Sequence, residues 1–138
     1  MRVYLDSSVI LRYVLQQPGL FPNWGKWEKA YTSEICRVEG CRAIDRARRE
    51  GRISDEALAE CVVRLEESLR RVDEIELDRK ILRRASQSFP TIIGTLDAIH
   101  VAAALFWQEE QNEDLHFLTH DNQQGITARA LGLKSLGF

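Results

Sequence analysis

The sequence predicts an α/β fold, a single three-layer α/β/α domain over residues 1–138 with a central, mainly parallel sheet. Short runs of β-branched and aromatic residues alternate along the chain with longer segments whose apolar residues recur at helical spacing. The chain has 138 residues, of which 44% are hydrophobic and 29% are charged, values typical of one soluble globular domain. Strands that alternate with helices usually pair in parallel and carry helices on both faces of their sheet.

The first half of the chain predicts two strands and three helices. Arg2–Asp6 is a short β-branched and aromatic run, and Ser7–Gln16 carries apolar residues at helical spacing. Residues 17–26 contain proline and glycine turn sequences, so they predict a loop, which is rich in aromatic residues. The remaining elements are a short strand at Ala30–Thr32, a helix from Ser33 to Gly51, and a helix that Ser54 caps and that reaches Arg71.

The second half continues the alternation. Val72–Leu77 alternates apolar and acidic residues as a half-buried strand does, and Asp78 caps a helix that Pro90 ends. Thr95 is the expected cap of a helix over Leu96–Glu110, which is apolar nearly all round and therefore predicts a buried core helix. The last elements are a strand at Leu115–Thr119, a helix that stops at Gly132, and a strand at Leu133–Leu136.

The charge balance limits how this protein would hold a nucleic acid. The chain has 19 Lys and Arg residues and 21 Asp and Glu residues, which gives a formal net charge of −2. Such a balance excludes a protein that binds nucleic acid mainly through global positive charge. Any binding of nucleic acid must therefore be local.

The cysteine pattern and the hydropathy indicate a cytoplasmic protein with no membrane partner. Cys36, Cys41 and Cys61 form an odd set without a CxxC pair, which fits neither a disulfide framework nor a zinc site. We expect all three to be reduced residues that fill the core. Membrane spans need about 18 uninterrupted apolar residues, and the sequence has no such stretch.

Four carboxylates are placed so that they could meet at one edge of the predicted sheet. Asp6 closes the first strand, Asp97 lies in the first turn of the apolar helix, and Asp121 follows a later strand. Each of these three acids is also explained as a helix cap or as a charge that suits a helix N-terminus. Glu39 lies inside the apolar stripe of its helix, so it is either paired with Arg42 or a ligand.

Acids that converge in this way favour a cation. Four carboxylates within a few ångströms cannot all ionise near neutral pH without a counter-charge. Oxygen ligands favour the hard ions Mg²⁺ and Mn²⁺ over zinc. Two such ions about 4 Å apart activate a water and stabilise the leaving oxygen of a phosphodiester. The combination therefore predicts a metal-dependent nuclease.

Four short motifs occur in order over nearly the whole chain. They are Val3–Ser8, Thr32–Glu39, Thr95–Ala103 and Leu118–Asp121, the last accompanied by Ala128–Leu133. In this order they resemble the motifs of the PIN-domain ribonucleases and, within that family, of the small VapC-type toxins of toxin–antitoxin pairs. The third motif is the most specific of the set.

The resemblance implies a PIN-like fold and an endoribonuclease that hydrolyses RNA with Mg²⁺ or Mn²⁺. It also implies a homodimer and a cognate antitoxin protein that covers the site. The catalytic and metal-ligating residues that it implies are Asp6, Glu39, Asp97 and Asp121, with Ser8 and Thr119 in supporting roles. Some members carry a further acid just after the fourth Asp, where this chain has Asn122–Gln124.

The helix that carries Glu39 is rich in arginine. Arg42 and Arg46 follow Glu39 along roughly the same face, and we expect them to contact RNA phosphates beside the acidic centre. The alternative is a solvated helix face paired with nearby acids. His100 lies one turn after Asp97 and is either a partner of the acids or a core histidine.

Two other functions remain open at this point. A receiver-type phospho-acceptor domain also places acids around Mg²⁺ at strand ends. A receiver domain requires adjacent acids after the first strand, whereas here Asp6 is followed by Ser7 and Ser8. It also requires a Lys at the end of a late strand, where this chain has His120 and Asp121. A PIN-like binding module that has lost catalysis is the second alternative, and the four intact acids count against it.

Overall fold

The computed structural model describes residues 1–137, in which five parallel strands form one sheet in the order β3-β2-β1-β4-β5. The strands are β1 (Arg2–Leu5), β2 (Lys29–Ser33), β3 (Asp73–Ile75), β4 (His116–Leu118) and β5 (Lys134–Leu136). The helices are α1 (Ser7–Val14), α2 (Ile35–Arg49), α3 (Asp55–Arg70), α4 (Arg79–Ala85), α5 (Thr95–Gln111) and α6 (Asn122–Ala130). The predicted α/β class is confirmed.

The alternation of side chains along the central strand β1 separates two cores. Val3 and Leu5 face the side of the sheet covered by α1, α2 and α3, and Tyr4 faces the side covered by α4, α5 and α6. Three layers result, as the sequence predicts. The helix α5 supplies a run of buried residues, Val101–Ala104, to the second core. Among the described helices, none is long and apolar enough to cross a membrane.

Several element boundaries differ from the sequence prediction, among them the end of α4, which lies at Ala85 and not at Pro90 because Ser86 already caps the helix. Ser33 does not begin α2 but ends β2, because it pairs in register with Ile75 of β3. The strand β3 is shorter than predicted, since the amide of Leu77 donates to the Glu34 carboxylate at 2.8 Å and not to the sheet. Gly94, not Thr95, is the N-cap of α5; it is extended, and its carbonyl accepts from the next turn.

The cysteines are all unpaired, as predicted, but they do not all fill the core. Cys36 and Cys61 are buried in the core between the sheet and the first three helices. The prediction is wrong for Cys41, which is exposed on α2. Its position falls outside the buried face of this helix, which carries Cys36, Gly40 and Ile44.

The aromatic loop between α1 and β2 packs on the protein itself. The ring of Trp24 stacks on Tyr13 at a centroid distance of 5.3 Å and meets Trp27 edge-on at 5.2 Å. A cavity of about 340 Å³ lies beside these three rings, and its wall includes Lys29 and Ala30 at the start of β2. The cavity therefore lies toward the amino ends of the strands, and none of the four predicted acids lines it.

Candidate active site

Asp6 directly follows β1 and serves both as the N-cap of α1 and as a buried carboxylate. Its side chain is 3% exposed. One oxygen, Oδ2, accepts from the Ser8 amide at 3.0 Å and from the Ser8 hydroxyl at 2.5 Å. The other, Oδ1, accepts from Nε2 of Gln124 at 3.1 Å. The two roles that the sequence left open are thus combined in one residue.

Glu39 reaches the same region from α2. Its Oε2 accepts from the Ser7 hydroxyl at 2.7 Å, and its Oε1 lies 2.6 Å from Nε2 of His100. The alternative of an ion pair with Arg42 is wrong, because Arg42 instead binds Asp45 one turn further along α2, at 2.8 Å. The carboxylate of Glu39 therefore points toward α1 and α5, the elements that follow or carry the other acids.

His100 is fully buried between the acids and Tyr4. Its Nδ1 shares a hydrogen bond of 2.7 Å with the Tyr4 hydroxyl, and its Nε2 lies 3.8 Å from Oδ1 of Asp6. Burial lowers the pKa of this imidazole, but the hydrogen bond to Glu39 and the charges of Asp6 and Asp97 outweigh it and raise the pKa above its ordinary value. His100 is thus a partner of the acids as well as a core residue.

Asp97 lies half-buried in the first turn of α5. Burial, and then the charges of Asp6 and Asp121, raise the pKa of its carboxyl group from 3.8 to about 6. The three acids are therefore close enough to interact electrostatically. The negative charge at this edge of the sheet is not fully compensated by the protein.

Asp121 and Thr119 organise the turn between β4 and α6. Oδ1 of Asp121 accepts from the Gln124 amide at 2.7 Å, which makes this exposed acid the N-cap of α6. The Thr119 hydroxyl accepts from the Asp121 amide at 3.0 Å and donates to Oε1 of Gln124 at 2.6 Å. It also lies 3.4 Å from Oδ2 of Asp6. The turn therefore connects two of the predicted acids.

Gln124 is one of the residues of this site, with Tyr4 and Ser7, that the sequence did not single out. Its side chain is fully buried, and its Nε2 bridges Oδ1 of Asp6 and, at 3.5 Å, the carbonyl of Asp97. A glutamine at the third position of an amphipathic helix gives no clear signal in the sequence. The available hint is its place three residues after Asp121, one of the predicted acids.

The two predicted phosphate-binding arginines differ in their surroundings. Arg42 is exposed and paired with Asp45, which also pairs with Arg49 at 3.2 Å. Arg46 is exposed, and no carboxylate among residues 1–137 pairs with it. Arg46 lies two turns after Glu39 and so on roughly the same face of α2. Its charge is available to an external anion.

The donor set fits a hard divalent cation in chemistry and in charge. Carboxylate oxygens are the ligands that Mg²⁺ and Mn²⁺ prefer, and a cation would relieve the repulsion by Asp6 and Asp121 that adds to burial in raising the pKa of Asp97. Within the described residues, however, no three His, Cys, Asp or Glu side chains are grouped so that they could hold an ion. Oxygens of Asp6, Glu39 and Asp121 instead accept hydrogen bonds from the protein.

Comparison with known proteins agrees with this arrangement. The family model of the PIN domain matches residues 3–130. Ribonuclease VapC46 of Mycobacterium tuberculosis (strain ATCC 25618 / H37Rv) is 28% identical over 139 aligned residues, which cover 95% of this chain and 93% of that protein. Ribonuclease VapC47 of the same species (strain CDC 1551 / Oshkosh) is 26% identical over 137 residues, which cover 94% of this chain and 92% of that protein. The parallel sheet, the acids at its carboxyl edge and the match to nearly the whole chain agree, and the chain belongs to the PIN domain family.

Proposed function

We propose that this protein is a metal-dependent endoribonuclease that hydrolyses RNA phosphodiester bonds and acts as the toxin of a toxin–antitoxin system. The observation that carries the proposal is the placement of Asp6, Asp97 and Asp121 together at the carboxyl edge of the sheet, where burial and then the charges of Asp6 and Asp121 raise the pKa of Asp97 to about 6. Two relatives that align over nearly the full chain are named as ribonucleases. Their names support the substrate class.

Asp6, Glu39, Asp97 and Asp121 are the residues that would hold Mg²⁺ or Mn²⁺. When bound, such an ion supplies a nucleophilic water at neutral pH and stabilises the leaving oxygen. The protein orients the acids in advance, because Ser8 and Gln124 fix both oxygens of Asp6 while Ser7 and His100 fix those of Glu39. Thr119 supports the site by holding Gln124 and the Asp121 turn.

Substrate binding needs positive charge beside these acids. Arg46 lies on the Glu39 face of α2, and its guanidinium, which no carboxylate of the described residues pairs with, suits a backbone phosphate. Arg42 is tied to Asp45, but exposed ion pairs are worth at most about 1 kcal/mol. A phosphate could therefore replace that carboxylate, and we assign both arginines to RNA contact.

The test is cleavage of RNA by purified variants. Asp6→Asn and Asp97→Asn should each abolish cleavage that depends on Mg²⁺ or Mn²⁺, with circular dichroism spectra like that of the parent protein. Asp114→Asn is the matched control, because this exposed acid precedes β4 and so lies at the amino ends of the strands, away from the four acids. Full activity of either site variant would overturn the assignment.

The partner proteins are a separate part of the proposal. A cognate antitoxin that covers the acidic site should inhibit cleavage, and the natural candidate is a short reading frame immediately upstream with a DNA-binding N-terminus. Co-purification and inhibition by that product would support the toxin role. A homodimer should appear as twice the chain mass in light scattering.

A further inference from the structure

The segment between Asp78 and Asp97 differs in charge from the rest of the chain. Residues 79–96 contain four Lys and Arg residues and no Asp or Glu. The rest of the chain holds the other 15 Lys and Arg residues and all 21 acids, so it is strongly negative. The positive charge of this segment therefore lies entirely in the short helix α4.

The cations of α4 have no carboxylate partners. Arg79, Lys80 and Arg83 are exposed, and none pairs with an acid within the described part of the chain. The cations of α2 are different, since its arginines other than Arg46 pair with nearby acids. We call the three free cations Arg79, Lys80 and Arg83 the α4 surface. Its charge is not used by the fold.

The helix that carries the α4 surface begins at the same edge of the sheet as the acidic site. The helix α4 begins four residues after β3 ends, and in a parallel sheet that end lies at the same edge as Asp6. The chain after α4 then returns to the site. Thr91 bonds the Thr127 hydroxyl and the carbonyl of Gln123 on α6, and Gly94 caps the helix that carries Asp97.

The loop after α4 adds apolar and aromatic surface to the cations of the helix. Arg84 places its guanidinium 4.4 Å from the centre of the Phe89 ring and donates to the carbonyl of Ser88, which orders the start of this loop. Ile92 further along is 91% exposed. Positive charge and an exposed apolar side chain suit a single-stranded nucleic acid, whose phosphates and bases both need contacts.

We propose that the α4 surface binds backbone phosphates of the RNA on the side of the acidic site opposite to α2. This inference rests on the proposed ribonuclease function and adds a second anchoring point to it. Helix α2 belongs to one layer and α4 to the other, so their free cations lie on opposite faces of the sheet, and both helices begin at its carboxyl edge. A polyanion drawn across this edge meets attraction on both sides, whereas the rest of the chain repels it.

The experiment measures RNA binding separately from cleavage. Arg79→Gln, Lys80→Gln and Arg83→Gln are combined in the Asp97→Asn background, and binding of a fluorescent single-stranded oligoribonucleotide is followed by anisotropy over a series of salt concentrations. A control triple of Lys26→Gln, Arg70→Gln and Arg71→Gln removes the same charge from exposed positions near the amino edge of the sheet.

The α4 variant should weaken RNA binding by about tenfold or more at low salt and lower the slope of log Kd against log salt by about 2, because each lost phosphate contact removes about 0.7. The control should change neither. Equal affinities and slopes in the two triples would overturn the proposal. Unchanged RNA binding with lost binding of a poly-glutamate peptide would overturn it in favour of an acidic protein partner.

Failure of the underlying function gives a different result. If the protein is not a ribonuclease, the parent chain cleaves no RNA with Mg²⁺ or Mn²⁺, whatever the α4 variant does. If it is one, the same three substitutions made with Asp97 intact should leave the cleavage of a dinucleoside monophosphate as in the parent, because the only phosphate of that substrate is the one that is cleaved. Cleavage of long RNA should fall chiefly through a higher KM.

Discussion

Nε2 of His100 lies 2.6 Å from Oε1 of Glu39, although 61 positions separate these residues in the sequence. The other ring nitrogen shares a hydrogen bond of 2.7 Å with the Tyr4 hydroxyl, so the imidazole is held from both sides. This contact joins α2 and α5, which pack against opposite faces of the sheet. It also fixes the orientation of a carboxylate for which Ser7 is the other donor among residues 1–137.

Removing His100 and Glu39 one at a time should therefore lower the free energy of unfolding by a summed amount that exceeds the loss in the double variant. His100→Gln should destabilise the protein by about 3 kcal/mol, because it leaves the Glu39 carboxylate poorly paired. Adding Glu39→Gln should restore part of the loss, with a coupling energy of about 1–3 kcal/mol. Urea unfolding of the two single variants and the double variant measures this coupling. Strictly additive losses would show that the contact contributes little.

Gln124 should act on catalysis through Asp6. Gln124→Leu keeps the size of the side chain but removes the donor to Oδ1 of Asp6 and the acceptor for Thr119. We expect kcat to fall about 10- to 100-fold with little change in KM, the usual effect of losing a residue that orients a ligand. Gln123→Leu is the matched control, since the neighbouring Gln123 is exposed. Equal kinetics of the two variants would remove Gln124 from the site.

The sequence predicts most of the fold because its local signals agree with one another. The alternation of strand and helix patterns, the stops at Gly51 and Gly132, and the caps Ser54 and Asp78 all lie where the structure has them. Boundaries fail where a tertiary contact competes with a local one. Ser33 is a good cap by type, but its pairing with β3 keeps it in the sheet.

The site is harder to predict, because its neutral members have no signal of their own. Acids at strand ends are visible in a sequence, since a charge in an apolar context needs an explanation. Gln124 and Tyr4 look like ordinary helix and strand residues, and their roles depend on contacts across more than 90 positions. The pairing of Arg42 with Asp45 and not with Glu39 is likewise a choice between neighbours that spacing alone does not decide.

The cysteines should differ in reactivity by their burial. Burial in the first place, with the nearby charges of Glu39 and Asp6, raises the pKa of the Cys36 thiol to about 12, so it stays protonated at neutral pH. Cys41 is exposed, and Cys61 is buried. N-ethylmaleimide should therefore add once to the native protein and three times in urea, as measured by mass. Cys41→Ser should remove the native label, and rapid modification of Cys36 would contradict the packing.

Asp97 should make the metal-free protein less stable as the pH rises. Its folded-state pKa of about 6 lies above the ordinary value of 3.8, so the folded protein binds this proton more tightly than the unfolded chain does. The resulting stability is fully present below the ordinary pKa and is lost as the pH rises through about 6.

The asparagine of the Asp97→Asn variant carries no charge at any pH, so this variant should not lose stability as the pH rises through about 6. In EDTA its Tm should exceed that of the parent near pH 8, and the difference should shrink toward zero near pH 4. Asp114→Asn provides the control of opposite sign, because Lys134 lowers the pKa of that exposed carboxyl. A Tm difference for Asp97→Asn that stays constant with pH would show that its charge is not strained in the folded state. Mg²⁺ should raise the Tm of the parent more than that of Asp97→Asn, since only the parent has the full acidic group to neutralise.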